Sequence, residues 1–185
     1  MQLEEFGWAR SFEAAFETYA CDGCAAGRVF FSSRELFAVY TEAGEVDATL
    51  SGRLRHSSAS WPVVGDWVVL RDRSIDAVLP RRTRFSRKDP GRRTVEQVIA
   101  ANIDVVFLVS GLDHNFNLRR IERSLVLAWE SGASPVIVLN KSDLREDAED
   151  VVRAVEESAP GVPVIAAHAL TAAGLPDFSR YLGGG

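Results

Sequence analysis

The sequence predicts a β + α/β fold: an N-terminal helix, then a five-stranded barrel, then part of a parallel sheet with crossover helices. Three observations support this prediction. Apolar residues at helical spacing over Trp8–Tyr19 are followed by five short β-like runs, with no helix between them long enough for a crossover. After Arg93, continuous apolar runs alternate with amphipathic stretches, which is typical of a parallel sheet.

The composition excludes a membrane-spanning or disulfide-framework protein. The chain has 185 residues, of which 46% are hydrophobic and 25% charged, as in soluble globular proteins. Apolar runs fall well short of the roughly 18 residues that a membrane span needs. The first five residues carry two glutamates and no basic residue, whereas a signal peptide begins with basic residues. Two cysteines cannot form a disulfide framework, so we expect a cytoplasmic protein without a membrane partner.

Five runs rich in β-branched and aromatic residues, each bounded by turn residues, form the predicted barrel. They are Arg28–Ser32, Leu36–Tyr40, Val46–Leu54, Trp67–Leu70 and Ile75–Leu79. In the third run, alternation puts Val46, Ala48 and Leu50 on one face. Five short strands indicate a small closed or half-closed antiparallel barrel, for which an OB-like barrel is the leading candidate. Such barrels commonly bind single-stranded nucleic acid.

The basic residues of the chain are concentrated in its barrel half. Residues 52–93 hold eleven basic and four acidic residues, while the whole chain has a net charge of −5. Such a segment often meets a polyanion, although a solvated basic linker gives the same pattern. The RNA-binding candidates are Arg53, Arg55, Arg81, Arg82, Arg84, Arg87 and Lys88. Four aromatic residues are candidates either for base stacking or for the barrel core: Phe30, Phe37, Trp61 and Trp67.

The second half alternates strand and helix. The predicted strands are Asp104–Ser110, Pro135–Leu139 and Val162–Ala167, and the helices are Asn117–Gly132, Asp147–Ser158 and Leu175–Leu182. We expect the first strand to be buried on both faces, Asp147 to cap its helix, and Val95–Ala101 to be a short helical or connecting piece. The apolar side of the first helix comprises Leu118, Ile121, Leu125, Leu127, Ala128 and Trp129. Ligands bind such sheets at the carboxyl ends of the strands.

An N-K-x-D sequence, Asn140-Lys141-Ser142-Asp143, directly follows the second buried strand. A carboxylate at Asp143 can accept hydrogen bonds from N1–H and the 2-amino group of guanine, whereas adenine offers no donor at either position. Asn140 can use its amide on the acceptor side of the ring, and the stem of Lys141 can lie along the base. The alternative is an ordinary strand-to-helix turn with a capping aspartate.

Other motifs carry less chemistry. Only two lysines are present, Lys88 and Lys141, and neither lies in a phosphate-binding G-x-x-x-x-G-K-[ST] loop. The single C-x-x-C of Cys21 and Cys24 lacks the further ligands of a structural zinc site, so a surface turn is favoured. Asp113-His114 resembles the start of a hydrolytic pair, but no nucleophile motif accompanies it and a loop is the better interpretation.

The motif and its surroundings closely resemble the circularly permuted, ribosome small-subunit-dependent GTPases of the RsgA/YjeQ family. The resemblance runs from about residue 25 to the end and includes PVIVLNKSDL, LVLAWESG and PVVGDWV. N-K-x-D before any P-loop is itself the permuted order. The resemblance implies a guanine loop at His168-Ala169-Leu170, in which Ala169 supplies a backbone N–H and His168 replaces the usual serine.

The resemblance also implies a domain organisation: a helical extension (1–24), an OB-fold RNA-binding domain (25–90) and the first part of a permuted, P-loop-type GTPase domain (91–185). Its expected ligands are GTP or GDP, with Mg²⁺ and a structural zinc only in the C-terminal part of the family pattern. Its expected partners are the 30S subunit and 16S rRNA, and we expect a monomer.

Without a P-loop, the 185-residue chain itself should not hydrolyse GTP. Two alternatives stay open at this point. The leading hypothesis is that the chain is the N-terminal portion of a GTP-hydrolysing factor for maturation of the small ribosomal subunit, with the OB domain contacting rRNA. The alternatives are a non-catalytic RNA-binding module with a vestigial guanine site, and a degenerate homologue that keeps base recognition without hydrolysis.

Overall fold

The computed structural model describes residues 2–19, 22–56, 61–88, 96–168 and 178–182, with the side chains of Arg87, Lys88 and Glu96 excepted. The chain divides into two compact units, residues 1–103 with 184–185, and residues 104–183. In the described residues no helix is long and apolar enough to cross a membrane.

The first unit contains the predicted five-stranded barrel. Its strands are β1 (Cys24–Ser32), β2 (Phe37–Thr41), β3 (Gly44–Leu50), β4 (Trp67–Arg71) and β5 (Ser74–Val78), closed in the order β1-β2-β3-β5-β4. The expectation that all strands pair antiparallel is wrong at one seam, because β3 and β5 are parallel. A closed ring with an odd number of strands cannot alternate direction throughout, so one parallel pair is unavoidable.

The barrel core consists of side chains that alternate along the strands. Phe37 and Val39 of β2 are fully buried, and Ala48 and Leu50 of β3 share the inward face that the alternation predicts. The predicted third strand ends earlier than expected, because a short helix, α2 (Gly52–Arg55), begins after Ser51, whose hydroxyl accepts the Leu54 N–H. Each fully buried Phe, Leu or Val contributes about 1.5–3 kcal/mol.

The predicted N-terminal helix packs on the outside of the barrel. A 3₁₀ turn (Leu3–Phe6) precedes α1 (Arg10–Glu17), and Phe12 of this helix is buried against Trp67. Trp8 adds an edge-on contact to the same indole at 4.7 Å. Strand β4 is therefore buried on both faces, with Val68 and Leu70 inside the barrel and Trp67 beneath the helix.

Two further strands, β6 (Arg84–Lys88) and β7 (Glu96–Ala101), form an antiparallel pair. The expectation of a helical or connecting piece over Val95–Ala101 is wrong for residues 96–101. These residues show no clear period, and their hydrogen-bond partners belong to a separate run of the chain. Buried Asn102 joins this pair to the barrel: its side chain accepts from the Arg82 N–H and donates to the Gly65 carbonyl.

The second unit is a parallel three-stranded sheet in the order β10-β9-β8. Its elements are β8 (Val105–Gly111), α3 (Leu118–Ser131), β9 (Ser134–Asn140), α4 (Ala148–Ser158), β10 (Val164–Ala166) and α5 (Ser179–Leu182). The predicted alternation is confirmed. The Asn117 side chain caps α3 by accepting the Arg120 N–H, and Gly132 ends the helix at φ 83°.

Three details of this unit differ from expectation. Strand β8 is only half-buried, with Val109 66% exposed, because within the described residues it pairs with β9 alone. Leu127 and Trp129 of α3 are exposed, since Ile121, Leu125, Ala128 and Ser131 form its buried face. Asp147 precedes α4 but does not cap it, because Arg145 takes both of its carboxylate oxygens at 2.7–2.8 Å.

Candidate functional site

The N-K-x-D residues lie where β9 ends. Asn140 is the last residue of the strand, and Ser142 begins a 3₁₀ turn that extends to Leu144. Between them Lys141 has the left-handed backbone conformation, at φ 60° and ψ 40°. That conformation costs a non-glycine residue about 1 kcal/mol and is held by the Lys141 N–H, which donates to Asn140 Oδ1 at 2.8 Å. The motif is therefore a defined turn at the carboxyl edge of the sheet.

Backbone hydrogen bonds bring all three strand ends to this turn. The Leu112 N–H, just after β8, donates to the Asn140 carbonyl at 2.8 Å. Both the N–H and the hydroxyl of Ser142 donate to the carbonyl of Ala167, just after β10. The N-K-x-D residues therefore lie at the edge at which parallel sheets bind ligands.

Asp143 and His168 meet at this edge. His168 Nε2 lies 3.3 Å from Asp143 Oδ1, and the two side chains are 21% and 41% exposed respectively. The carboxylate is therefore open to a ligand while its position is supported from the loop after β10. Ala169, the remaining predicted member of the site, lies outside the described residues.

Lys141 is held by Asp113, a residue for which the sequence alone predicts only a loop. Its ammonium donates to Asp113 Oδ2 at 2.6 Å, and the Asn115 N–H donates to the other oxygen of the same carboxylate. The hydrogen bond from Lys141, followed by that from Asn115, holds the pKa of Asp113 below its usual range. Asp113 is 28 residues from Lys141 in the sequence. Its position just after the end of β8, the strand beside β9, is the feature from which this contact could be predicted.

A cleft of about 380 Å³ opens beside this pair. It is lined by residues of β8, the following loop, α3 and the motif, including Gly111, Asp113, Asn115, Arg120, Asn140 and Lys141. The cleft thus presents the Asn140 amide and the pinned stem of Lys141, and the Asp143 carboxylate belongs to the same turn. Those groups match the donors of guanine and a flat ring face.

Comparison with known proteins decides the family. The family model described as RsgA GTPase matches residues 78–185. This chain belongs to the RsgA GTPase family. A relative from Opitutus terrae named "Small ribosomal subunit biogenesis GTPase RsgA" is 44% identical over 90% of this chain and 51% of its own length. One of the same name from Syntrophotalea carbinolica is 37% identical over 100% of this chain and 55% of its own length.

The fold agrees with a solved member of the same family. The crystal structure of YjeQ from Thermotoga maritima matches with a TM-score of 0.68 and 27% identity, over 85% of this chain and 56% of that one. The chain therefore spans about half the length of the RsgA relatives that it matches.

The RsgA-family barrel carries its predicted RNA-binding residues in different settings. Arg55 and Arg84 are exposed, while the Arg53 guanidinium donates to the Asp76 carbonyl at 3.1 Å. Arg82 is exposed and lies 5.2 Å from the ring centroid of Phe12. Arg87 and Lys88 belong to β6, but their side chains lie outside the described set. Four of the candidates are thus shown near solvent.

Arg81 is in a different environment. Its guanidinium makes two 2.7 Å hydrogen bonds to the buried carboxylate of Asp66 and a third to the Trp61 carbonyl. The two side chains are 14% and 0% exposed. In this RsgA-family barrel Arg81 therefore has a structural partner for most of its donors.

The four aromatic candidates differ in burial. Phe37 and Trp67 are fully buried and belong to the cores. Phe30 stacks on Tyr40 at 4.0 Å, whereas Trp61 is 46% exposed. Of the four, Trp61 presents the most accessible ring.

Proposed function

We propose that this chain is the guanine-reading and RNA-docking part of a GTPase that acts in maturation of the small ribosomal subunit. The observation that carries the proposal is the N-K-x-D turn, which holds Asp143 at the carboxyl edge of a parallel sheet, two residues from Lys141. Asn140 and Lys141 of the same turn line a cleft. The names of the relatives, which describe small ribosomal subunit biogenesis GTPases, support the cellular role.

Base recognition follows from the hydrogen-bonding groups at this edge. Asp143 accepts from N1–H and the 2-amino group of guanine, while the Asn140 side chain serves the acceptor side of the ring. The stem of Lys141 lies along the base, and His168 with the Ala169 N–H completes the loop after β10. Adenine would leave the carboxylate without donors, so the site rejects it.

The 185-residue chain alone does not hydrolyse GTP in this proposal. Hydrolysis requires a glycine-rich phosphate loop with its lysine and a hydroxyl that holds Mg²⁺. The sequence contains no such loop, because neither of its two lysines is flanked by the required glycine and Ser or Thr. Mg²⁺ and a structural zinc belong to parts of the family pattern that these residues do not include.

The barrel supplies the RNA contact. Residues 1–24 extend the barrel domain of residues 25–90, and residues 91–185 begin the GTPase domain. The exposed arginines on the barrel unit would contact phosphates of 16S rRNA in the 30S subunit. The protein acts as a monomer in the cytoplasm, without a membrane partner.

The guanine assignment is tested by nucleotide binding to the purified chain. GMP and AMP are titrated separately and followed by ¹⁵N–¹H NMR. We expect GMP to shift the amides of the Asn140–Leu144 turn and AMP to bind more weakly. Asp143→Ala should remove the preference, whereas the exposed carboxylate of Asp150, changed to Ala, should leave it intact. Equal binding of GMP and AMP by the wild-type chain would reject the proposal.

The lack of a P-loop favours a second candidate function, a non-catalytic RNA-binding module. Binding of 16S rRNA that weakens steeply with salt would support it, because phosphate contacts release counterions. Sequencing the source gene beyond codon 185 separates the two. A G-x-x-x-x-G-K-[ST] sequence would support the GTPase, and a stop codon would support the RNA-binding module.

A further inference from the structure

We propose that Asp113 is a positioning residue for the guanine site: it holds the Lys141 ammonium so that the lysine stem is already laid out before a base arrives. The inference rests on the proposed guanine recognition. Its own evidence is the contact between two side chains that belong to different strand ends.

The geometry fixes both partners. Asp113 is 17% exposed and receives the Lys141 ammonium at 2.6 Å and the Asn115 N–H at 2.9 Å. Its own loop is fixed to the motif, because the Leu112 N–H donates to the Asn140 carbonyl. The carboxylate therefore cannot follow a moving lysine, and the lysine is drawn to a fixed point.

Gly111 leaves the space in which the pair lies. A Cβ at this position would lie 3.2 Å from Asp113 Oδ2 and 3.5 Å from Lys141 Cδ. The lysine stem thus runs close over the backbone at the end of β8, on the wall of the cleft. An alanine here would crowd the Asp113 carboxylate and make ordinary van der Waals contact with the lysine stem.

Holding the lysine stem in advance should raise the affinity for a base, because a mobile lysine side chain loses rotamer freedom when a ligand orders it. The ion pair holds the side chain in one place in the free protein, so less of that cost remains at binding. Asp113 acts here through Lys141 and not on the base. Its loss should weaken affinity without changing which base is preferred.

The experiment measures GMP and AMP affinity by NMR titration of the purified chain and its Asp113→Asn variant. Asparagine keeps the acceptor for the Asn115 N–H but removes the charge that holds Lys141. We expect GMP affinity to fall about threefold to tenfold, as for loss of side-chain preorganisation, with the preference over AMP retained. Asp147→Asn, which loosens the similar 2.7 Å contact to Arg145, is the matched control and should leave GMP affinity unchanged.

A double-mutant cycle separates positioning from general damage. Lys141→Met keeps an apolar stem but has no ammonium to hold, so adding Asp113→Asn to it should change GMP affinity less than about twofold. An equal loss in both backgrounds, or no loss in the wild-type background, would overturn the role of Asp113 while leaving guanine recognition intact. A wild-type chain that does not prefer GMP would overturn the proposed function, and this inference with it.

Discussion

Arg81 is a predicted RNA-binding residue that the structure pairs with the buried carboxylate of Asp66. The sequence places Arg81 in the densest basic stretch, and that pattern alone predicts a phosphate contact. The structure adds a carboxylate that is 0% exposed and accepts two hydrogen bonds from the guanidinium. The partner is 15 residues away, so the local pattern cannot indicate it.

Removing one member of this pair should destabilise the barrel unit. Asp66→Ala leaves the Arg81 guanidinium with unpaired donors and removes the acceptor of the Val63 N–H. We expect the free energy of unfolding to fall by about 3–5 kcal/mol, which urea denaturation followed by tryptophan fluorescence will measure. Asp76→Ala, whose partner Arg71 is 59% exposed, is the control and should cost less than about 1 kcal/mol. Similar losses for both variants would contradict the prediction.

The contact between Asp113 and Lys141 should make the stability of the folded chain depend on pH. Because Lys141 lowers the pKa of this carboxyl in the folded chain, the folded state favours the ionised form. The contribution to stability is therefore complete above the ordinary aspartate pKa of about 3.9 and is lost as the pH falls through the lower, folded value.

The ¹³Cγ resonance of Asp113 should accordingly titrate below the ordinary range. Lys141→Met should raise its midpoint, and Arg145→Met, which removes a cation from a different aspartate, should not. A midpoint that is the same with and without Lys141 would show that the contact does not hold in solution.

At the scale of elements, the sequence predicts those whose signals are local. The sequence predicts strand β9 from its continuous apolar run, and helix α3 from its periodic apolar residues between a capping asparagine and a terminal glycine. Strand β7 has no such local signal, because it is defined by its pairing with β6. The exposure of Val109 cannot be predicted for a related reason: an apolar run does not reveal which strands lie beside it.

The junction between the barrel and the β6–β7 pair depends on one glycine. Gly65 has φ +89°, and a Cβ there would lie 1.9 Å from the Ala101 carbonyl oxygen. Gly65→Ala must therefore push the Val64–Gly65 segment away from strand β7, which this segment meets at the isolated Val64–Ala100 bridge. We expect a loss of at least about 2 kcal/mol in the free energy of unfolding, from backbone strain and the clash together.

Gly44→Ala is the matched control for this prediction. Gly44 has φ +116° but open space at the Cβ position, so its replacement tests backbone strain without the clash. Its loss of stability, measured by the same urea denaturation, should be clearly smaller than that of Gly65→Ala. Equal losses would show that the conformation alone, and not the close approach to Ala101, requires the glycine.

At the scale of the whole molecule, the uneven charge predicts that one part of the chain makes the phosphate contacts. The segment 52–93 is basic although the chain carries a net charge of −5. Phosphate contacts from this segment should make binding of 16S rRNA depend on salt, with a slope that falls by about 0.7 for each contact removed on single-stranded RNA. We expect Arg55→Gln and Arg84→Gln, both exposed in the barrel unit, each to weaken binding and reduce the slope.

The control for this prediction comes from the other unit. Arg119→Gln removes an arginine of α3 that is also exposed, so it changes the net charge by the same amount without altering the barrel. If the barrel provides the contact, this variant keeps the wild-type slope in a filter-binding series over salt concentration. If all three variants reduce the slope equally, rRNA senses only the net charge of the chain, and the barrel has no special part in binding.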